Sequence, residues 1–185
     1  MAAPIREVDT REVRVPTGAV QQLALRFGLG AGLACAVWMV GLQLTGSNGF
    51  GPKQILAQLL VPLAAVASQW LLRKAAKPNK PGLGASLGVG LLTALLAASV
   101  STIGVLGLAY GAGEPAVARH RAELVEIIQS PQQSNRDDAS SRALRQQQVI
   151  TAQSTTANDI ANRNFLQVLV LGLVLAVPAG IFLRE

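Results

Sequence analysis

The residues able to do chemistry in this chain are few, and their spacing does not assemble a reaction centre. His120 is the one histidine; it stands between Arg119 and Arg121, with Glu123 and Glu126 close behind. A histidine working as a general base needs an orienting partner and a substrate pocket. Here the neighbours read instead as the charged face of an amphipathic helix, with His120 a solvated interfacial side chain. Asp137-Asp138 lacks the spacing and the glycine of a calcium loop. The sequence contains no GxxxxGK[ST] phosphate loop and no zinc-ligand constellation. With a single cysteine, Cys35, no internal disulfide can form. The expectation is a protein that is not an enzyme, with no catalytic, cofactor-binding or metal-ligating residue and no cofactor.

The elements around these residues define the kind of molecule. Half of the 185 residues are hydrophobic and only 14% are charged, against about 25% in an ordinary soluble domain. Leu83 to Tyr110 carries no charge at all, and about 20 apolar residues suffice to cross a hydrocarbon core about 30 Å thick. The net charge of +6 does not indicate nucleic acid, because the basic residues sit in short runs beside apolar segments, as topology signals do, and not on one folded face.

Four spans are expected, at residues 23–44, 54–72, 83–110 and 165–183. Residues 1–22 form a polar tail in which Arg6, Arg11 and Arg14 alternate with Glu7, Asp9 and Glu12. These acids, and the lack of a small-x-small site after the first apolar run, argue against a cleaved signal peptide. Gly28 with Gly32, and Gly84 with Gly88, make two GxxxG pairs suited to close helix contact. Pro62 should free the carbonyl of Gln58 and bend the second span. Apart from Arg26 near one end, the spans as drawn hold no ionisable group except Cys35 and Tyr110, and their polar residues (Gln43, Gln58, Ser68, Gln69, Thr93, Ser99, Ser101 and Thr102) suit interhelical hydrogen bonds.

Residues 111–164 are the one sizeable polar segment, read as a helical hairpin. Glu114-Pro115 starts its first helix, whose apolar stripe is Val117, Leu124, Val125 and Ile128. Ser130-Pro131 ends it. Ser134 and Asp137 resemble a capping box opening a second helix that feeds into the last span, with Ala143, Ile150, Ala157 and Ala161 as a weak stripe.

Charge sets the orientation. Arg73, Lys74, Lys77 and Lys80 crowd the second connection, while Lys53 alone occupies the first. By the positive-inside rule both termini and the basic loop are cytoplasmic and the hairpin lies outside. Aromatics fall at the two interfaces, Phe27, Trp70 and Phe182 at one and Phe50, Tyr110 and Phe165 at the other, with Trp38 at mid-span.

A glycine-rich first span (Gly28 to Gly41), a basic loop after the second, a third span ending in Glu114-Pro115, then a polar helical segment and a short last span make up this layout. It resembles a family of small bacterial four-helix membrane proteins classed as a domain of unknown function. Gln146-Gln147-Gln148 departs from the acidic composition of that segment in the family. The resemblance implies an all-α four-helix membrane fold, with no activity and no functional residue to transfer. The functional expectation is an integral inner-membrane protein with a binding or scaffolding role, its partners being the lipid bilayer and either further copies of itself or other membrane proteins. The alternative is a subunit of an oligomeric channel or transporter for a small solute.

Overall fold

The computed structural model describes residues 17–77, 81–130 and 139–183. Its order is α1 (Thr17–Leu44), a 3-10 turn (Pro52–Gln54), α2 (Ile55–Gln58), α3 (Leu60–Ala76), α4 (Leu83–Ala112), α5 (Glu114–Gln129), α6 (Ala139–Gln153) and α7 (Ala157–Phe182), with no strand among the described residues. Four stretches, Thr17–Leu44, Pro52–Ala76, Leu83–Ala112 and Ala157–Phe182, are long and apolar enough to cross a membrane. The fold is all-α, with the make-up of a multi-pass membrane protein. The helices turn large apolar side chains outward, among them Leu33, Val37, Leu56, Ile103, Leu166 and Val174. Apolar surface of that extent is rare on a soluble monomer and is the expected outer face of a bundle dissolved in lipid.

The 30-residue α4 is the central post, packed against α1, α3 and α7. In lipid the hydrophobic effect cannot drive helices together, so close backbone approach must, and glycine supplies it. A Cβ on Gly28 would stand 2.7 Å from Leu96 Cβ and one on Gly32 2.7 Å from Val100 Cβ, so α1 lies backbone-close on α4. Gly172 of α7 meets Ala94 of α4 in the same way. The second glycine pair differs from expectation: nothing lies within 4 Å of a Cβ at Gly84 or Gly88. The spacing was right for a contact, but these two positions fall on the open side of α4.

Three apolar clusters stack along the bundle. Met39, Phe50, Val105 and Ile160 fill the end nearest α5. Cys35, Val61, Ala97 and Val168 fill the middle, and Ala24, Leu72 and Val89 the far end. The second span breaks at Leu59, between α2 and α3. Pro62 has no N–H for the Gln58 carbonyl, and the turn forms one residue after that carbonyl.

The last helix corrects the sequence reading. The second hairpin helix does not feed into the last span: the helical run stops at Gln153, and α7 starts afresh at Ala157, eight residues before Phe165. Thr156 Oγ1 accepts from the Asp159 N–H while the Asp159 carboxylate accepts from the Thr156 N–H at 2.8 Å, a full capping box. The expected stripe on α6 is also wrong, since Ile150 is exposed, Ala143 is exposed, and the side turned inward carries Val149 and Ala152. The Ser134–Asp137 cap, the tail up to residue 16, Pro78, Asn79, Lys80, Arg184 and Glu185 lie outside the described residues.

Candidate functional site at the hairpin end

After α1 the chain turns through Gly46 at φ +80°, a left-handed conformation that glycine takes without a Cβ clash. It then presents Asn48. The Phe50 N–H donates to Asn48 Oδ1 at 2.9 Å, which fixes the amide the right way round and leaves Nδ2 facing α5. Nδ2 meets His120 Nδ1 at 3.1 Å and Glu123 Oε2 at 2.6 Å. His120 and Glu123 are three apart, one above the other on α5. Phe50 closes the site edge-on to the imidazole, with ring centroids 5.8 Å apart.

This geometry sets the state of His120. Because Asn48 donates to Nδ1, the neutral ring carries its proton on Nε2. Burial pushes the imidazole below its ordinary pKa; Glu123 works against that shift and Arg163 of α7 adds to it. His120 is therefore a buried, neutral side chain, which corrects the expectation of a solvated one. A lone histidine flanked by arginines carried no local sign of this, because its partner lies 72 positions away. Glu123, read as part of a solvated face, is half-buried and held by the same amide.

Beside the node is a cavity of about 290 Å³ lined by Phe50, Gln54, Ile55, His120, Glu123 and Gln167. Gln54 donates to the Phe50 carbonyl at 3.3 Å, while its Oε1 is buried without a partner. With the lone pair on Nδ1 engaged by Asn48, His120 offers this space a donor, Nε2–H, and Glu123 and Gln54 offer acceptors. Two arginines complete the docking of α5: Arg121 donates to the Thr155 carbonyl at 2.6 Å and pairs with Glu114 at 2.5 Å, and Arg119 reaches the Gly46 carbonyl at 3.4 Å. Among the described residues no group of three or more His, Cys, Asp or Glu side chains is placed to hold a metal.

The polar residues expected within the spans sort into three levels. Nearest the hairpin, Asn164 of α7 accepts from Gln58 at 3.0 Å and donates to Ser101 at 3.0 Å, with Thr102 at 3.4 Å. Below it Thr93 donates to Ser68 at 3.1 Å. Deeper still, Gln69 donates to the carbonyls of Ser86 and Ala176 at 3.2 and 2.7 Å. Ser99 is apart from these, half-buried and bonded back to Leu95 of its own helix. Gln43, in the last turn of α1, serves the connection that follows, where its Oε1 accepts from the Gly49 N–H. Asn164 was missed because the last span was begun one residue beyond it; the Thr156-x-x-Asp159 pattern would have found the true start. Trp38, placed at mid-span, reaches the 3-10 turn at the hairpin end and donates to the Lys53 carbonyl at 3.1 Å.

A family model described as "Protein of unknown function (DUF4199)" matches residues 26–185. The chain belongs to that family. Comparison with curated proteins and with solved structures gives no match.

Proposed function

We propose, for a chain of this family, a binding or scaffolding role in the bacterial inner membrane. Both termini and the basic loop around Arg73, Lys74 and Lys77 would be cytoplasmic, and the α5–α6 hairpin would be the outward-facing binding element. The observation that carries this reading is apolar surface left open on an element outside the spans: Ile127, Leu144 and Ile150 are 45%, 60% and 61% exposed. Beside them runs a groove of about 570 Å³ whose lining includes Leu124, Ile128, Leu144, Gln148, Ala152 and Arg163. Mixed apolar and polar lining of this kind suits a protein segment that brings an apolar anchor with polar flanks. The node at Asn48 supports the same reading, because it seats α5 rigidly on the bundle and would hold the groove in one orientation. The partner would be a second copy or another membrane protein.

A second reading, a subunit of an oligomeric channel for a small uncharged solute, draws on the buried acceptors of Gln58 and Gln69 that lack partners. One pair of measurements separates the two. Photo-cross-linking amino acids replacing Leu144 and Ile150 are expected to trap a discrete protein adduct in intact cells, while reconstituted vesicles show no solute permeation above lipid alone. Permeation of glycerol or urea that falls on Asn164→Leu, with no adduct at either position, would replace the scaffold by the channel.

A further inference from the structure

Between α1 and the broken second span lies an apolar groove of about 720 Å³, within the size range of small-molecule sites, about 300–1,000 Å³. Its floor is made of small residues, Ala34, Gly41 and Ala57, and its walls include Val37, Trp38 and Leu60. Nothing lies within 4 Å of a Cβ built on Gly41, so the trough is open there. The interruption at Leu59 falls beside this groove, whose lining takes Leu56 and Ala57 from α2 and Leu60 from α3.

The groove is polar at one end only. Thr45 lines it, and the next two residues meet two cations. Arg119 of α5 approaches the Gly46 carbonyl at 3.4 Å, and Lys53 Nζ approaches the Ser47 hydroxyl at 3.4 Å. The bond from Trp38 Nε1 to the Lys53 carbonyl ties that lysine's backbone to the groove wall. Neither cation is paired with a carboxylate among the described residues: Glu114 is engaged by Arg121 and Glu123 by Asn48. An apolar trough with two cations whose charge no carboxylate offsets, and a hydroxyl, at one end is complementary to an anionic amphiphile.

We propose that this groove is a site for one anionic phospholipid of the leaflet on the hairpin side, with an acyl chain along Gly41 and Trp38 and the phosphodiester against Lys53, Arg119 and Ser47. Cations at an interface attract anionic headgroups, and the apolar trough fixes which lipid position they act on. A site of this kind would also join α5 to the α1 loop through the headgroup, since Lys53 and Arg119 come from the two parts.

Trp38 lies in the groove wall and reports on its occupant. The test uses full-length Trp70→Phe protein in mixed micelles, titrated with phosphatidylglycerol or phosphatidylcholine brominated on the acyl chains. Half-maximal quenching of Trp38 is expected at a phosphatidylglycerol fraction at least fivefold below that for phosphatidylcholine. The preference should vanish in K53Q/R119Q and persist in Arg142→Gln, a charge control on the exposed side of α6. Gly41→Leu, which fills open space, should weaken quenching by phosphatidylglycerol at least fivefold even if the double variant does not fold. Equal quenching by the two lipids, or full quenching retained in Gly41→Leu, would overturn the assignment.

Discussion

Asn164 of α7 donates its side-chain amide to the Ser101 hydroxyl of α4 at 3.0 Å, and both side chains are almost wholly buried. The same amide accepts from Gln58 of α2, so three helices meet at one residue. In the hydrocarbon an unpaired amide has no water to turn to, which makes satisfied bonds specific even where each is worth only about 0.6 kcal/mol on average.

Asn164→Leu strands the Gln58 amide in the core and should destabilise the bundle by about 1–3 kcal/mol. Ser99→Ala removes a hydroxyl bonded only to Leu95 of its own helix and should stay within about 0.5 kcal/mol of the parent. Unfolding in mixed micelles by denaturant titration checks both. A neutral Asn164→Leu would mean that the three-helix junction carries no stability.

The contrast between the two residues shows what a single sequence can disclose. Long charge-free stretches such as Leu83 to Tyr110 announce spanning helices because the bilayer dictates their length and polarity. Most polar residues of those helices were visible too, as candidates for hydrogen bonding between helices; Asn164 was not, because the last span was begun one residue beyond it. Which of them pair was not visible, because Asn164 and Gln58 are 106 positions apart and pairing follows from how α2, α4 and α7 rotate about their axes. The hairpin-end site was hidden for the same reason, since His120 and Glu123 were legible only as one charged face until Asn48 was placed against them.

The two glycine pairs make opposite predictions. Gly28→Leu and Gly32→Leu push a side chain into Leu96 and Val100 across the α1–α4 contact and should cost about 1–3 kcal/mol each by overpacking. Gly84→Leu and Gly88→Leu enter open space and should leave the melting temperature near that of the parent, or raise it through better helix propensity. Equal losses in both pairs would place a further helix or a second copy against the open face of α4.

Docking of α5 should depend on pH with a definite sign. Burial holds the His120 pKa below its ordinary value of 6.5, so the docked form binds a proton less readily than an undocked one. Docking is therefore at full strength above pH 6.5 and weakens as the pH falls through that value toward the lowered one. Protonation also places a hydrogen on Nδ1, where Asn48 already donates. Hydrogen exchange at the amides of α5 should accelerate between pH 7 and pH 5 after correction for intrinsic rates. His120→Phe should remove the pH dependence, and Asn48→Ala should raise exchange at neutral pH. An α5 whose protection is unchanged across this range would show that the node does not hold the hairpin.

The proposed orientation rests on charge, and a pair of cysteines tests it. Arg73, Lys74 and Lys77 stand at or just beyond the end of α3, on the side away from α5, and positive loops of this length are retained in the cytoplasm. In a Cys35→Ser background, Ser140→Cys should react with a membrane-impermeant thiol reagent added to intact cells, and Asn79→Cys only after permeabilisation. Cys35 itself is buried in the bundle, so its replacement by serine should cost stability without changing sidedness. Labelling of both cysteines from outside would remove one of the four helices from the membrane. The reverse pattern would invert the molecule, turn the hairpin groove toward the cytoplasm and redirect the search for its partner there.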